Sequence, residues 1–551
     1  MYSGGKSGMG KTSSKTALSN RILHISFVVF TFAAAAVMLH LVWMSPTRRL
    51  LWLVTDDSFY YFQTARNMAA GLGSTFDGIN KTNGYHPLWF MLCVLAYKVV
   101  PGMYAGLRAV LSMGAALWVA SALLLWAGLR DRGSAWALFA VLSFFMVTLR
   151  MFTYLSGMET GLLDLSLILL FCFTRSGKLL DARATARDGL ALGALITLAV
   201  FSRLDWIFLI PGLAMVLAVL HWRDGFRRLV SRWASVFILP ALALVAYMVL
   251  NKHVFGTYMP VSGMLKSSFP HPHFHPENIT SSWSGAASAL AVGIATIWVI
   301  VLLVRHHRTD AANDLRLLFV LDICVILHLG YVLFFLRWAV FSWYFEPYML
   351  VAILNAAMIG SWLFQSKWLS KRSSLVWAVM PLFAVAALGI PARYYTRLVT
   401  DRVAPGWTHY VYDAALWARA NTPPDAVFGM TDAGTFGYFS DRRVVNLDGI
   451  VNNLEYQEYG SQGRLHDYLR KVGVTYFASH GLCPGWETEY NESGEVAIGI
   501  PCHLHERAAG EIRLRAADLV YQSAKYTVSG MQPGQSSRAR IWRYSPSPNT
   551  R

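Results

Sequence analysis

The sequence is poor in charged residues and in cysteine. Charged residues make up 14% of its 551 residues, whereas a soluble domain usually carries about a quarter. Five cysteines are present, and none has the C-x2-C spacing of a structural zinc site. These shortages exclude an ordinary soluble domain and a zinc-ribbon module. Hydrophobic side chains form 55% of the sequence instead, gathered in long runs that indicate several membrane-spanning helices.

Acidic residues are also few, with 31 Asp and Glu against 48 Lys and Arg, which gives a formal net charge of +17. A strongly basic chain can indicate a nucleic-acid partner. Here the basic residues cluster in short loops between apolar runs, without the aromatic-interleaved basic surface that binds nucleic acid. We therefore predict a lipid bilayer, and no nucleic acid, as the partner of this charge.

The first apolar run, His24–Met44, has 21 residues, about the length needed to cross the hydrocarbon core. It follows a basic segment, residues 1–23, that is rich in Gly and Ser. A cleaved signal peptide is the alternative interpretation, but the run is long for a signal and no small-x-small cleavage site follows it. We predict that this run is the first span and that residues 1–23 are cytoplasmic.

Ten further apolar runs bring the predicted number of spans to eleven. They lie near residues 107–129, 134–149, 160–174, 188–201, 205–220, 233–250, 286–304, 317–336, 344–364 and 373–391. With a cytoplasmic N-terminus, the inner connections hold 20 Lys and Arg in 72 residues and the outer ones 10 in 120, as the positive-inside rule requires. The run Leu88–Val100 is too short to cross easily and is predicted to lie against the outer leaflet. An odd number of spans places the C-terminus outside.

The last part of the chain, residues 395–551, is polar and alternates strand-like runs with helical stretches, which favours a small α/β domain. The strand-like runs are Val427–Met430, Arg443–Leu447 and Val474–Phe477. The sequence therefore predicts a polytopic α-helical membrane protein, with a transmembrane domain of residues 24–394 whose first outer loop is 45–106, and an extracytoplasmic α/β domain at the C-terminus. Cys483 and Cys502 in that domain are a candidate disulfide.

The segment after the first span, Val54–Trp89, carries the residues best suited to chemistry. It opens with adjacent carboxylates, Asp56 and Asp57, where the helix reaches the membrane boundary. Two carboxylates at such a boundary are costly unless something uses them. The alternative is that they cap the amphipathic helix that follows, because Asp is favoured at helix starts. Capping requires only one Asp and leaves the turn-rich FDGINKTNGYHP stretch unexplained.

Five stretches of the sequence, taken in order, resemble the motifs of one family. They are DD-x-F-x-x-F-x-x-A-R-N with the following NGYHPLW, then Ser156–Thr160, Ser202–Trp206, Phe255–Lys266 and Asp432–Gly449. Together they resemble the GT-C-fold glycosyltransferases, in particular bacterial relatives of the mycobacterial arabinofuranosyltransferases. The third and fourth stretches depart from the family pattern, with Leu204 and Trp206 in place of Pro and Gly, and Val261 in place of Asn. These departures leave the transferred sugar open.

The resemblance implies a glycosyltransferase whose donor is a polyprenyl-phosphate sugar. By analogy with the first-loop Asp of the family, Asp56 is the predicted general base for the acceptor hydroxyl, and Asp57 is its orienting or metal-binding partner. Direct attack would invert the anomeric configuration. The departing phosphate requires cations; Arg203 and Lys266 rank first because they lie in family-like motifs, and Lys81 is a further candidate.

Other polar residues of these stretches are expected to contact substrate. They are Tyr60, Tyr85, His86, Glu159 and Asp205. Asp57 and His86 are also candidate ligands for a divalent metal cation, because carboxylate and imidazole suit several such metals. Some enzymes of this fold use a metal and others do not, so the resemblance leaves the cofactor open.

The sequence thus predicts an integral-membrane glycosyltransferase of a bacterial inner membrane, with arabinofuranose as the sugar that the resemblance suggests. The acceptor is a glycan, a lipid-linked molecule or a protein outside the cytoplasm. A transporter or flippase for lipid-linked sugars is the first alternative, although it favours internal repeats and mid-membrane charges. A polysaccharide ligase or polymerase is the second, usually without a C-terminal α/β domain. A receptor would not need eleven spans.

Overall fold

The computed structural model describes residues 9–132, 134–151, 153–177, 179–181, 184–221, 225–280, 283–306, 311–363, 373–400, 402–481, 491, 493–502, 507–527 and 536–545. Up to residue 400 its regular structure is helical. The α-helices are Met9–Met44, Thr47–Leu50, Asp56–Ala69, Pro87–Val99, Met103–Leu129, Ser134–Met151, Thr160–Ser176, Ala186–Ser202, Leu209–His221, Phe226–Phe255, Val261–Lys266, Glu277–Thr280, Trp283–His306, Ala311–Phe334, Glu346–Leu363 and Ser373–Val399.

Each of the eleven predicted spans coincides with helical structure. Seven helices in the described ranges are long and apolar enough to cross a membrane: Arg21–Met44, Met103–Leu129, Phe226–Phe255, Gly285–Arg305, Asn313–Phe334, Glu346–Leu363 and Ala378–Val399. Ala135–Leu149 and Leu204–Leu220 are shorter apolar helices. The predicted polytopic helical membrane fold is therefore confirmed, while eleven crossings stay a prediction.

Three helices extend well beyond their predicted spans, and the first of them is Met9–Met44. The helix Phe226–Phe255 has 30 residues, and the last helix, Ser373–Val399, passes through Pro391 and through the predicted domain boundary at residue 395. A proline removes one backbone hydrogen bond, and membrane helices tolerate this where neighbouring groups compensate. Hydropathy locates only the apolar part of such helices, because their polar ends give no signal.

The short apolar run after the first loop forms the helix Pro87–Val99, as predicted. One side of it is buried, including Trp89 and Tyr97, while Leu95 and Val99 on the other side are 58% and 72% exposed. An exposed apolar side of this kind is suited to lipid contact.

The C-terminal region combines helices with a mixed sheet. Its helices are Trp407–Asn421, Gly434–Phe439, Leu454–Ser461 and Leu465–Val472, and its strands are β1 Val427–Met430, β2 Arg443–Asn446, β3 Tyr476–Ser479, β4 Glu495–Cys502, β5 Arg507–Arg515, β6 Leu519–Gln522 and β7 Arg540–Arg543. The main sheet has the order β2-β1-β3-β7-β6, in which β1 is parallel to β2 and β3. The predicted α/β domain is therefore confirmed, although β3 begins two residues later than predicted. Cys483 lies outside the described residues, and so does the predicted disulfide.

The C-terminal domain packs directly on the first-loop helix Asp56–Ala69. Phe59 of that helix is fully buried, and its ring centroid lies 5.3 Å from that of Tyr438 and 5.2 Å from that of Phe439. Burial of one such side chain contributes about 1.5–3 kcal/mol. This contact holds the domain against the helix that carries the Asp pair.

Candidate active site

Two residues of the first outer loop form hydrogen bonds with the loops that carry the candidate cations, Lys266 and Arg203. Asn83 Oδ1 accepts a hydrogen bond from Val261 N at 3.0 Å, at the start of the short helix that ends with Lys266. His86 Nδ1 accepts from Leu204 N at 3.1 Å, next to Arg203. The NGYHP stretch therefore positions both cationic loops.

Trp89 and Gly84 bring two further segments to the same place. Trp89 Nε1 donates to Gly157 O at 2.9 Å, which holds the loop of Glu159. Gly84 approaches the C-terminal domain so closely that a Cβ atom would lie 1.8 Å from Ile450 O. A residue without a side chain is required where two backbones meet in this way.

These contacts surround a cavity. Its lining consists of Asp57, Tyr60, Tyr61, Gly84, Tyr85, His86, Met158, Glu159, Arg203, Ser262, Lys266, Trp343, Tyr344 and Ile450. Seven of the ten site residues predicted from the sequence lie in this set, and Asp56, Lys81 and Asp205 do not. The structure thus brings together residues of six chain segments, which extend from Asp57 to Ile450.

Asp57 and Lys266 are the charged groups of this lining that have no hydrogen-bond or ion-pair partner among the described residues. Burial raises the pKa of Asp57, and the positive charge of Lys266 opposes this rise. Burial also works against the charge of Lys266, but Tyr344 and Asp57 outweigh it and raise the pKa of the amine. The cavity therefore holds a carboxylate, Asp57, with a raised pKa, and an amine, Lys266, that keeps its positive charge.

Arg203 is the second cation of the cavity, and it is 1% exposed. Its Nε donates to Asp205 Oδ1 at 3.0 Å, and its Nη1 donates to Trp343 O at 3.0 Å. The Tyr344 ring centroid lies 4.4 Å from the guanidinium carbon. Nη2 has no hydrogen-bond partner among the residues that the structure describes, so one edge of the planar fork is left to bind an oxyanion.

Glu159 is paired on several sides, unlike Asp57. Its Oε2 accepts from Tyr61 OH at 3.0 Å, and its Oε1 lies 3.8 Å from Arg203 Nε and 3.7 Å from His86 Nε2. Burial lowers the pKa of His86, which favours the neutral imidazole. Because Leu204 N occupies Nδ1, the proton of that imidazole is on Nε2, facing Glu159.

Asp56 faces the C-terminal domain and not the cavity. Its carboxylate accepts from Gly434 N at 3.1 Å and from Thr435 N and Oγ1 at 2.8 and 2.5 Å. It therefore caps the helix Gly434–Phe439, whereas the N-cap of its own helix is Thr55. Burial raises the pKa of Asp56 to about 7, and the hydrogen bonds from Thr435 oppose this. This geometry favours Asp57 as the base, in place of the predicted Asp56.

Tyr60 and Tyr85 line the cavity with their rings, while their hydroxyl groups are engaged elsewhere. Tyr60 OH donates to Asp448 Oδ2 at 3.2 Å, in the C-terminal domain. The Tyr85 ring stacks on Phe90 with centroids 3.7 Å apart, and its OH lies 2.6 Å from Ser74 Oγ. Both residues offer the cavity aromatic surface more than hydrogen bonds.

Lys81 and Asp205 lie outside the lining. Lys81 is exposed and borders a separate groove with Phe255 and Lys471, because its loop folds back on itself and pairs Lys81 with Thr75. The structure therefore does not bring Lys81 together with the other predicted phosphate contacts, Arg203 and Lys266. Asp205 is connected to the cavity through Arg203, because its carboxylate accepts from Arg203 Nε.

The sequence prediction missed Trp343 and Tyr344, which lie against Arg203 and in the cavity lining. Aromatic residues before a span are the available signal, but membrane-interface belts give the same pattern. Ile450 was also missed, and no sequence signal marks it.

Metal binding was predicted only as a candidate property of Asp57 and His86. In the part of the chain that the structure describes, no group of three or more His, Cys, Asp or Glu side chains is arranged to hold a metal ion. Of the two candidates, Asp57 has no hydrogen-bond partner among the described residues, whereas His86 uses Nδ1 for Leu204 N and directs Nε2 to Glu159.

Comparison with known families matches residues 401–528 to a domain of unknown function, DUF8728. This range covers most of the sheet domain and none of the cavity's membrane-side residues. No curated protein sequence matches the chain.

Among solved structures, the chain is similar to ArnT from Cupriavidus metallidurans bound to undecaprenyl phosphate, at 15% identity and a TM-score of 0.47, over 82% of this chain and 93% of that one. The apo state of the same protein gives 15% identity and a TM-score of 0.48, over 83% and 93%. The arabinofuranosyltransferase AftD from Mycobacteria gives 15% identity and a TM-score of 0.35, over 93% of this chain and 41% of that one. The enzyme class that the motifs resemble is thus found among the structural neighbours, but likenesses this distant carry no information on substrate.

Proposed function

We propose that this protein is an integral-membrane glycosyltransferase of the GT-C type, which transfers a sugar from a polyprenyl phosphate to an acceptor hydroxyl outside the cytoplasm. The observation that carries the proposal is one cavity that contains Asp57, a carboxylate without a hydrogen-bond partner among the described residues, and two cations, the buried Arg203 and the half-buried Lys266. A reaction that removes a proton from a hydroxyl and releases a phosphate needs both kinds of group.

In the proposed reaction, the acceptor oxygen attacks the anomeric carbon while the bond from that carbon to the phosphate oxygen breaks, with inversion. Asp57 takes the proton of the attacking hydroxyl, and a positioned base of this kind contributes typically about 10²–10⁴-fold. The bonding electrons leave with the phosphate. Lys266 and the free edge of Arg203 meet the additional negative charge.

The remaining cavity residues are proposed to position the sugars. Glu159 and His86 are polar groups within the lining and can exchange hydrogen bonds with hydroxyl groups, while Tyr60 and Tyr85 provide aromatic faces on which sugar rings pack. Asp205 is proposed to act through Arg203 and not by direct contact with substrate.

The proposed location is a bacterial inner membrane, with the N-terminus in the cytoplasm and the C-terminal domain outside. The excess of Lys and Arg in the inner connections supports this orientation. The cavity then opens on the outer side, where the loops of Asp57, Glu159, Arg203 and Lys266 all lie. A polyprenyl phosphate in the outer leaflet has its phosphate at that level.

Transfer can be tested with the purified protein in vesicles that contain a labelled polyprenyl-phosphate pentofuranose or hexose, with cell-envelope glycan, lipid-linked glycan or protein as acceptor. We expect a glycosylated product of inverted anomeric configuration, detected by NMR, and its loss in Asp57→Asn. Movement of the intact donor between leaflets without product would indicate a flippase instead. Product formed by joining long preformed chains would indicate a ligase or polymerase.

The sugar and the cofactor are tested by the same assay. Arabinofuranose, which the motif resemblance supports, is expected to be transferred faster than the hexose. The divalent cation that the sequence proposes at Asp57 and His86 is tested by treatment with EDTA, followed by addition of Mg²⁺ or Mn²⁺. A loss of activity that the metal restores would support the site.

A further inference from the structure

His328, in the membrane helix Ala311–Phe334, belongs to a hydrogen-bonded chain that ends on Arg203. The Tyr348 OH lies 2.7 Å from His328 Nδ1, and His328 Nε2 lies 3.1 Å from Asp205 Oδ2. Asp205 accepts from Arg203 Nε through both oxygens, at 3.0 and 3.2 Å. The chain therefore connects two membrane helices with a cation of the cavity.

The chemistry of the groups fixes the direction of the hydrogen bond to Asp205. The Asp205 carboxylate only accepts, so His328 Nε2 donates to it, while His328 Nδ1 faces the Tyr348 hydroxyl. His328 and Tyr348 are fully buried, and the rings of Trp206 and Phe208 both have centroids 6.1 Å from that of His328. Because His328 and Tyr348 are buried, protein groups and not water molecules set the orientation of Asp205 on this side.

Arg203 donates hydrogen bonds to two groups, the Asp205 carboxylate from Nε and the Trp343 carbonyl from Nη1. If the Asp205 carboxylate rotated about its Cβ–Cγ bond, the hydrogen bond from Arg203 Nε would change direction and the guanidinium plane would turn with it. His328 Nε2 holds Asp205 Oδ2, one of the two oxygens that such a rotation would move. The bond from His328 to Oδ2 thus restricts the rotation of the Asp205 carboxylate beside Arg203.

We propose that His328 is a positioning residue for the donor phosphate, which acts through Asp205 to keep the Nη2 edge of Arg203 turned to the cavity. The proposal rests on the proposed function, and it gives a role in donor binding to a membrane-helix residue that does not line the cavity. A His328 that only satisfied its own burial would affect the amount of folded protein, and it would leave the donor KM unchanged.

The decisive variants are His328→Leu and His328→Gln. Leucine removes both polar contacts. In glutamine, the amide oxygen and nitrogen are separated by one carbon, as are the two ring nitrogens of histidine, so the oxygen can accept from Tyr348 while the nitrogen donates to Asp205. We expect His328→Leu to raise the donor KM about tenfold, the lower end of what loss of a hydrogen bond to a charged group produces, with little change in the acceptor KM. His328→Gln should restore the donor KM to within about threefold of the wild type.

A double-mutant cycle with Arg203→Ala tests whether His328 acts through Arg203. If it does, His328→Leu should change the donor KM little once Arg203 is absent, because the two effects are coupled. Equal effects of His328→Leu in the two backgrounds would overturn the proposal, as would an unchanged donor KM in His328→Leu. Tyr348→Phe, which removes one hydroxyl and keeps the ring, is expected to raise the donor KM in the same direction and serves if His328→Leu does not fold.

Binding of polyprenyl monophosphate alone, measured by the change in unfolding temperature of the purified protein, separates this proposal from the proposed function. Wild-type protein that neither binds this lipid nor transfers sugar would contradict the glycosyltransferase assignment. Wild-type protein that does both, beside a His328→Leu variant that binds the lipid equally well, would contradict only the role of His328.

Discussion

Asp56 and Asp57 are neighbours in the chain, yet their carboxylates lie in different surroundings. Asp56 accepts three hydrogen bonds from Gly434 and Thr435 of the C-terminal domain. Asp57 lines the cavity, where its charge interacts with that of Lys266. Successive side chains of a helix point about 100° apart, so one helix start can serve two surfaces. The pair therefore links the docking of the C-terminal domain to the chemistry of the cavity.

Substitution of each Asp by Asn should separate these two roles. Asp57→Asn removes the proton acceptor, so we expect transfer to fall by about 10²–10⁴-fold with little change in unfolding temperature. Asp56→Asn keeps one oxygen for Thr435 and places an NH₂ group opposite Gly434 N, so we expect a lower unfolding temperature and activity within about tenfold of the wild type. Initial rates and thermal unfolding of the purified variants check both. The reverse pattern would return the role of base to Asp56.

The two carboxylates also predict opposite dependences on pH. Asp57 must be ionised to accept a proton, and because burial raises its pKa, activity should rise with pH through that elevated pKa. The pKa of Asp56 is raised from 3.8 to about 7 on folding, so the folded protein binds more protons between these values. The stability that Asp56 contributes is therefore fully present below about pH 4 and is lost as pH rises through about 7.

Unfolding temperatures at pH 5 and pH 8 test the contribution of Asp56. The wild type should lose more stability between these values than Asp56→Asn, whose side chain does not titrate. Equal losses in the two proteins would show that Asp56 does not control this dependence.

The helices and most of the candidate site residues were predictable from the sequence because their signals, apolar runs and short motifs, are local. Apolar runs located the helices, and the NGYHP stretch marked the loop whose Asn83 and His86 hold the cationic segments in place. The roles of Asp56 and Asp57 could not be separated, because the direction of each carboxylate depends on the docking of a helix that begins at Gly434, far away in sequence.

Lys81 shows the same limit within a single loop. Its positive charge and its place on the predicted outer face suggested a phosphate contact. Asp77 Oδ1, however, accepts from Ile79 N and Asn80 N at 2.8 and 2.7 Å, and this tight turn leaves Lys81 exposed. A one-residue difference in the turn would reverse the direction of the side chain, and sequence patterns do not resolve turns at that level.

The contact between Gly84 and Ile450 predicts the effect of one added methyl group. In Gly84→Ala, the new Cβ would lie 1.8 Å from Ile450 O, so backbone must move and the C-terminal domain should be displaced from the first loop. We expect a destabilisation of at least about 1–3 kcal/mol, as for an overpacked core, with reduced transfer. Gly263→Ala is the matched control, because it lies in the Lys266 helix and a Cβ there meets nothing within 4 Å. Denaturant unfolding and transfer rates check both, and equal behaviour of the two variants would contradict the close approach.

Lys266 and Lys81 form a second matched pair, two lysines of the loops at the same end of the bundle with different surroundings. Lys266 is in the cavity beside Asp57, and Lys81 is exposed outside it. Methionine keeps most of the length of lysine and removes its charge. If Lys266 stabilises the departing phosphate, Lys266→Met should lower kcat by about 10²–10³-fold, the range for loss of one electrostatic contact to a developing anion. Lys81→Met should change it by less than about twofold, because an exposed charge is screened by water and salt.

Loss of the Lys266 charge should also change the pH dependence of transfer. The positive charge of Lys266 lowers the pKa of Asp57, so this pKa should rise further in Lys266→Met. The acid limb of the pH–rate profile should therefore move to higher pH in Lys266→Met and not in Lys81→Met. An unchanged acid limb would show that Lys266 and Asp57 do not act on the same substrate site, even if the rate falls.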